Sequence, residues 1–272
     1  MRTAATKTFS FSRLDQVWSF YAPCTTRYLM WAAIATVVSY LMYLLADKTD
    51  VIGMMSISGT LLGAFAYMAP TAFTFVRNRS LVCQLPATAA EQFTFMLLFS
   101  YVAVPLTMAA IWLSLEGISG LCGYDNSMFA TMQRLYASEL DAAHMGIFND
   151  FYNLLMKRTR WLQYLSWAMS TAVVLLIVIA TEKQRFMKAV AGVIVAGVAV
   201  GIVSGVFMIV RMVDFFSSAE FARASEEDIM PVITNVLMNG VNDIANFSLC
   251  VVPAIIIICL YLSWRKFKSF QM

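Results

Sequence analysis

The sequence predicts an all-α, polytopic membrane protein with six transmembrane helices, an N-terminal amphipathic helix and both termini in the cytoplasm. Sixty per cent of the 272 residues are apolar, and only 13% are charged. An ordinary soluble domain has about 25% charged residues, so this chain has too little polar surface to cover a water-facing globule. It also contains six apolar segments near the roughly 20 residues that a helix needs to cross a bilayer.

The whole chain is interpreted as one membrane domain, because no repeat or low-complexity linker divides it. The first apolar segment begins only after 27 residues and is 19 residues long. This length exceeds a typical signal-peptide core and indicates a span that is not cleaved. The predicted spans are residues 28–46, 51–76, 93–115, 162–180, 186–213 and 244–264.

An amphipathic pattern precedes the first span, within residues 1–26. Its apolar members are Phe11, Leu14, Trp18 and Tyr21. Their spacings of three and four place them on one face of a helix, and Pro23 is expected to end that helix. We expect the helix to lie in the membrane interface with Trp18 at headgroup level. The alternative is a cytosolic amphipathic helix that docks on protein.

The orientation follows from the distribution of Lys and Arg among the short loops. The N-terminus, the second and fourth loops and the C-terminal tail hold 12 of these residues, and the other loops hold 7. Both termini are therefore predicted to be cytoplasmic. The stretch "KRTR", residues 157–160, adjoins the fourth span on the predicted outer side. Either it binds lipid headgroups there, or the topology differs near that loop.

Two long outer loops are predicted between these spans. Residues 116–161 have the pattern of one or two amphipathic helices. Residues 214–243 contain an apolar patch broken by Pro231 and Gly240. That patch is interpreted either as a re-entrant hairpin, which needs shielding by protein or water at membrane depth, or as a surface helix with one apolar face.

Ionisable residues are missing from the central part of every predicted span. Arg211 lies near a span boundary, where it is expected to snorkel or to meet Asp214. Ion-driven transporters and voltage sensors use ionisable groups inside the membrane, and no phosphate-binding loop motif is present. If the protein moves a substrate uphill, the energy must come from a partner.

The sequence predicts no catalytic residues, no metal and no cofactor. The five cysteines lack the C-x-x-C spacing, so neither a disulfide framework nor a redox motif is expected. His144 is the single histidine, which makes a zinc site improbable. A net charge of +3 is no signature of nucleic-acid binding.

Glycines recur at a spacing of four in two predicted spans. They are Gly59 and Gly63 in the second span and Gly197, Gly201 and Gly205 in the fifth. Glycines at this spacing line one helix face and allow another helix to approach closely. They are interpreted as helix-packing residues, with dimerisation as a further possibility.

The predicted cytoplasmic loop between the second and third spans reads "RNRSLVCQLPATAAEQFTF", residues 77–95. Thr88 and Glu91 have the spacing of a capping box, which predicts a helix start about five residues before the apolar boundary. Pro86 precedes the cap, where its missing N–H is harmless. Leu85 and its apolar neighbours follow Arg77 and Arg79. This loop suits docking to a soluble partner, and the alternative is a turn that lies along the membrane.

The segment "LPATAAEQF", residues 85–93, resembles the Leu-Pro-Ala-Ser/Thr…Glu-Lys/Gln-Phe signature of bacterial membrane proteins related to type-2 ABC transporter permeases. The ending "YLSWRKFKSFQM" is similar to their tail. The resemblance implies that residues 1–26 form an elbow helix and that the loop is a coupling helix seated in a cleft of a separate ATPase chain. The implied coupling residues are Arg77, Arg79, Leu85, Pro86, Thr88 and Glu91.

On this resemblance, the chain is expected to be the permease subunit of an exporter in the bacterial cytoplasmic membrane. It would work as a homo- or heterodimer with that ATPase and with membrane lipid, but not with nucleic acid. The alternative is a non-transporting membrane scaffold or sensor that binds other membrane proteins. A membrane enzyme ranks third, because no paired catalytic groups are recognisable.

Overall fold

The computed structural model describes residues 11–46, 51–75, 87–122, 146–181, 183–217 and 229–269. All regular structure in these ranges is helical, which confirms the all-α prediction. The α-helices are α1 (Phe11–Ala46), α2 (Val51–Tyr67), α3 (Ala89–Leu98), α4 (Val104–Leu121), α5 (Gly146–Ala180), α6 (Arg185–Phe216) and α7 (Ile229–Lys268). A 3₁₀ helix, Ala69–Phe75, follows α2, and a π-helical turn, Phe99–Ala103, joins α3 to α4.

Four helical stretches within these ranges are long and apolar enough to cross a membrane. They are Arg13–Leu45, Ala89–Leu121, Arg185–Asp214 and Asp243–Lys268. Two shorter apolar helices, Ile57–Tyr67 and Tyr164–Ala180, coincide with parts of the second and fourth predicted spans. These helices indicate a multi-pass membrane protein. The count of six spans and the side of each terminus stay predictions.

Pro23 does not end the first helix, contrary to the prediction, because α1 continues through it. Buried residues follow helical spacing on both sides of the proline: Val17, Tyr21, Thr25, Ala32, Ala35, Thr36, Ser39, Tyr40 and Tyr43. Pro23 itself is exposed, as is Ser19, whose carbonyl loses its helical partner to the proline. That carbonyl lies on the solvent-accessible side, and packing of one continuous face favours a continuous helix.

The second predicted span, 51–76, is not one helix, because α2 ends at Tyr67. Pro70 cannot donate a hydrogen bond, and its ring would clash with the carbonyl four residues earlier in an α-helix. The chain instead tightens into the 3₁₀ helix. There the Thr71 backbone N–H donates to the Met68 carbonyl at 2.9 Å, and the Thr71 hydroxyl donates to the same carbonyl at 2.7 Å.

A proline also explains the π-helical turn between α3 and α4. The Val104 N–H donates to the Phe99 carbonyl, five residues back, and Pro105 follows at the start of α4. Because Pro105 has no N–H, a regular α-helix would lose a hydrogen bond and crowd its ring against the preceding turn. The wider turn accommodates the proline without ending the helix.

The predicted outer loops contain helix where the structure describes them. α5 begins at Gly146, within the loop 116–161, as expected for one of its helices. α7 begins at Ile229 and runs unbroken past Gly240, so the re-entrant hairpin is wrong. Pro231 lies in the first turn of α7, where its missing N–H costs nothing.

The chain divides into two compact units. The first comprises Met1–Asn126, Ser170–Val193 and Ile256–Met272, and the second comprises Ser127–Met169 and Ile194–Ile255. The buried core of the first unit centres on aromatic and small side chains of α1, the 3₁₀ helix, α3 and the π-helical turn. α1 packs against α2, the 3₁₀ helix, α3 and α4.

In the second unit, α6 and α7 pair through an ion pair and a ring contact. Arg211 donates to the Asp243 carboxylate, so its observed partner is on α7 and is not Asp214. Phe207 and Phe247, one turn away on each helix, have ring centroids 5.0 Å apart. The Asp214 alternative is wrong because the helix pairing supplies a partner 32 residues away, and snorkelling of Arg211 stays a prediction.

The predicted packing glycines do not pack against other helices in the described part of the chain. A Cβ added at Gly59, Gly197, Gly201 or Gly205 would meet nothing within 4 Å, and at Gly63 it would meet only Tyr67 of the same helix. Close approach occurs at Gly192, where an added Cβ would lie 2.2 Å from Ile177 Cδ1 on α5. The spacing pattern missed this residue because it is not four residues from another glycine.

Candidate functional site

The candidate site is residues 87–93, the C-terminal end of the loop between the second and third predicted spans, in the first unit. This segment is called the loop base. Thr88 is the N-cap of α3 and has extended backbone. Its hydroxyl accepts from the Glu91 N–H at 3.3 Å, and Glu91 Oε2 accepts from the Thr88 N–H at 2.7 Å. These reciprocal bonds confirm the predicted capping box and the helix start before the apolar boundary.

Glu91 also binds Arg13 of α1, which the sequence analysis did not single out. Glu91 Oε1 accepts from Arg13 Nε at 3.0 Å and from Nη2 at 2.9 Å. The Glu91 side chain is 0% exposed and the Arg13 side chain 23%. Both carboxylate oxygens therefore have partners, which a buried carboxylate requires. The ion pair joins the N-terminal part of α1 directly to the cap of α3.

Aromatic side chains continue this contact along α1. Tyr21 is fully buried; its ring stacks on Phe95 at a centroid distance of 5.5 Å and meets Phe73 edge-on at 5.4 Å. Trp18 meets Phe95 edge-on at 5.6 Å while remaining 42% exposed. Leu14 packs against the same core.

Leu14, Trp18 and Tyr21 thus contact protein of the same chain through one helix face. The placement of this segment in the membrane interface or in the cytosol stays a prediction. The helix is a continuation of the first span and not a separate element. The side chain of Phe11 lies outside the described residues.

The C-terminal end of α7 contacts the loop base from a second element. Phe93 lies 5.4 Å from Trp264 and 6.1 Å from Phe267, measured between ring centroids. Gln92, next to it, is fully buried and donates from Nε2 to the Ala87 carbonyl at 3.4 Å. Segments near both ends of the chain therefore hold residues 87–93 in place.

The loop base precedes the part of α3 that exposes large apolar side chains. The first large apolar side chain exposed on α3 is Leu98, at 45%. It follows Thr88 by ten residues, about 15 Å along a helix axis. On α1, exposed polar side chains such as Asp15 come first, and apart from Trp18 the exposed large apolar series begins at Met30. On both helices, the residues that meet at the Arg13–Glu91 ion pair therefore precede the exposed large apolar series.

Four predicted coupling residues, Arg77, Arg79, Leu85 and Pro86, lie outside the described residues. The structure therefore brings together Thr88 and Glu91 of the predicted set and adds Arg13, Phe93 and Phe267. The capping spacing marked Thr88 and Glu91 in the sequence, and the two segments that carry the family resemblance contain Phe93 and Phe267. Arg13 had no local signal, because its partner is 78 residues away.

In the part of the chain that the structure describes, no three His, Cys, Asp or Glu side chains lie close enough together to hold a metal ion. Comparison with known proteins found no matching family model, no matching curated protein and no matching solved structure.

Proposed function

We propose that this chain is the membrane-spanning permease subunit of a type-2 ABC exporter, energised by a separate ATPase chain. The proposal includes six spans, cytoplasmic termini, a bacterial cytoplasmic membrane and a homo- or heterodimeric assembly. The observation that carries it is the loop base at residues 87–93. A partly buried ion pair and a capping box hold this segment, about 15 Å along α3 from the first exposed large apolar side chain.

The mechanism would use this rigidity to transmit movement. A loop that an ATPase pushes must pass the displacement to helices without deforming at its base. The Arg13–Glu91 ion pair and the Tyr21–Phe95 stack link the loop base to α1, and the capping box links it to α3. Displacement of the loop would therefore move α1 and α3 together.

Substitution of Leu85 tests the docking of this loop. Leu85→Asp would place a carboxylate without a partner in a protein cleft, which costs several kcal/mol. We expect this variant to lose an ATPase that co-purifies with the wild type, while Thr88→Ala, which costs about 1 kcal/mol at the cap, weakens the association slightly. Affinity purification from the native membrane, followed by mass spectrometry and an ATP hydrolysis assay, measures the outcome.

A matched control separates docking from membrane insertion. Leu121→Asp makes the same chemical change at the far end of α4, where the side chain is 91% exposed, and should leave the ATPase bound. ATPase recovery that is unchanged in Leu85→Asp at normal expression would contradict the coupling role and favour a turn that lies along the membrane.

The second candidate is a membrane scaffold or sensor, favoured by the open glycine face of α6. Gly197, Gly201 and Gly205 are exposed and leave room for a partner helix to approach. The same purification distinguishes the candidates, because a scaffold would recover another membrane protein and no ATPase.

A further inference from the structure

The exposed face of α7 changes from apolar to basic within about two helical turns. Ile257, Ile258, Tyr261 and Leu262 are exposed large apolar side chains. Arg265, Lys266 and Lys268, immediately after them, are exposed cations. An apolar band bordered by cations is the pattern expected where a helix leaves the hydrocarbon and enters the headgroup layer.

The opposite face of this basic turn is anchored in the first unit. Ser263 and Phe267 are buried, and Phe267 and Trp264 both contact the Phe93 ring. Because the packed face is fixed, the three cations are held on the outer face and are not on a free tail. A preorganised group of cations loses less entropy when it binds an anion.

The exposed face of α1 also changes between basic and apolar side chains. Arg27 is exposed, and the exposed large apolar side chains Met30 and Trp31 follow within about one turn. Residues Tyr21 of α1 and Phe267 of α7 both contact the first turns of α3, through Phe95 and Phe93. The polar ends of α1 and α7 therefore lie at the same end of the first unit.

The charge balance of this unit favours an anionic ligand. Its described residues include eight Lys or Arg side chains and three Asp or Glu side chains. One of those carboxylates, Glu91, is buried and bound to Arg13. The described part of this unit therefore exposes more cations than anions, and this excess attracts anions over about a Debye length.

We infer that Arg27, Arg265, Lys266 and Lys268 bind the headgroups of anionic phospholipids. The cations directly border exposed apolar surface on the same helix faces. A phospholipid presents a negative charge directly next to hydrocarbon. An acidic protein partner would need acidic residues opposite these cations and apolar residues opposite the neighbouring apolar side chains. This inference is independent of transport and stands or falls separately from it.

The test uses the purified full-length protein in detergent, with phosphatidylglycerol and phosphatidylcholine of identical acyl chains. Each cation near a membrane surface contributes about 1 kcal/mol, or about fivefold in affinity. We expect R265Q/K266Q/K268Q to lower the affinity for phosphatidylglycerol about a hundredfold without changing that for phosphatidylcholine. Native mass spectrometry of retained lipid gives the affinities, and lipid-dependent thermal stabilisation checks them.

Charge-conserving and single variants keep the test decisive. R265K/K266R/K268R should bind phosphatidylglycerol as the wild type does, and R27Q alone should lose about fivefold even if the triple variant does not fold. Inorganic phosphate at matched ionic strength should give no stabilisation. The inference is overturned by equal affinity of the wild type for both lipids, by unchanged affinity in the neutralised variants, or by equal stabilisation with inorganic phosphate.

Discussion

At the scale of single residues, the Arg13–Glu91 ion pair is asymmetric in burial. Glu91 is fully buried, whereas Arg13 retains 23% exposure and can reach water. The two partners therefore respond differently to removal of the other. Loss of Arg13 removes the positive charge that neutralises a buried carboxylate, while loss of the Glu91 charge leaves a guanidinium that water can solvate.

This asymmetry makes the first residue-scale prediction. We expect Arg13→Ala to lower the free energy of unfolding by about 3–5 kcal/mol, the cost of stranding a buried charge. Glu91→Gln should cost less, because glutamine can still complete a capping box. The double variant Arg13→Ala/Glu91→Gln should be more stable than Arg13→Ala alone. Unfolding in SDS of the four proteins measures these differences, and equal stability of Arg13→Ala and wild type would contradict the prediction.

At the scale of helices, small residues and prolines decide how the chain packs. The buried face of α1 keeps its register across Pro23, whereas α2 ends just before Pro70. The difference lies in the surroundings: Pro23 deprives the carbonyl of exposed Ser19 of its partner, whereas Pro70 would deprive that of Ala66, which packs partly buried against the core. A freed carbonyl in a buried position must find another donor or the helix must change form.

Gly192 gives a prediction at the same scale. An added Cβ would lie 2.2 Å from Ile177 Cδ1, and Val173 Cγ1 lies 3.7 Å away. We expect Gly192→Val to destabilise the protein by about 1–3 kcal/mol through overpacking between α5 and α6. Gly201→Val is the matched control on the same helix, because its added Cβ meets nothing within 4 Å.

Thermal unfolding in detergent compares the two variants with the wild type. A loss of stability in Gly201→Val that depends on protein concentration would instead show that this glycine packs against a second copy. Equal stability of Gly192→Val and wild type would contradict the close approach of α5 and α6 at this residue.

At the scale of the whole molecule, the distribution of Lys and Arg predicts which ends face the cytoplasm. In a background without the five native cysteines, we expect Ser80→Cys and Lys268→Cys to be protected from an impermeant thiol reagent in intact cells. Asp125→Cys should be labelled. Labelling at position 80 from outside would reverse the orientation and remove the basis for a cytoplasmic docking loop, and permeabilised cells serve as the labelling control.

The sequence by itself determined the membrane class, the helical content and the cap of α3. The membrane class follows from composition, because so many apolar side chains can be kept from water only by lipid. The helical content follows in turn, because a backbone in lipid must form its hydrogen bonds within the protein. The cap at Thr88 and Glu91 is readable because its hydrogen bonds span three residues, so the residue types alone bring the partners together.

Only the tertiary structure decided how that cap is held. The Arg13–Glu91 pair joins residues 78 apart, and the Phe93–Phe267 contact joins residues still farther apart. Neither has a local signature, because any helix face with suitable packing can present such a partner. The continuation of α1 through Pro23 depends on the same packing. A proline's local preference is weak against burial of a complete helix face, and that burial is a property of the folded chain.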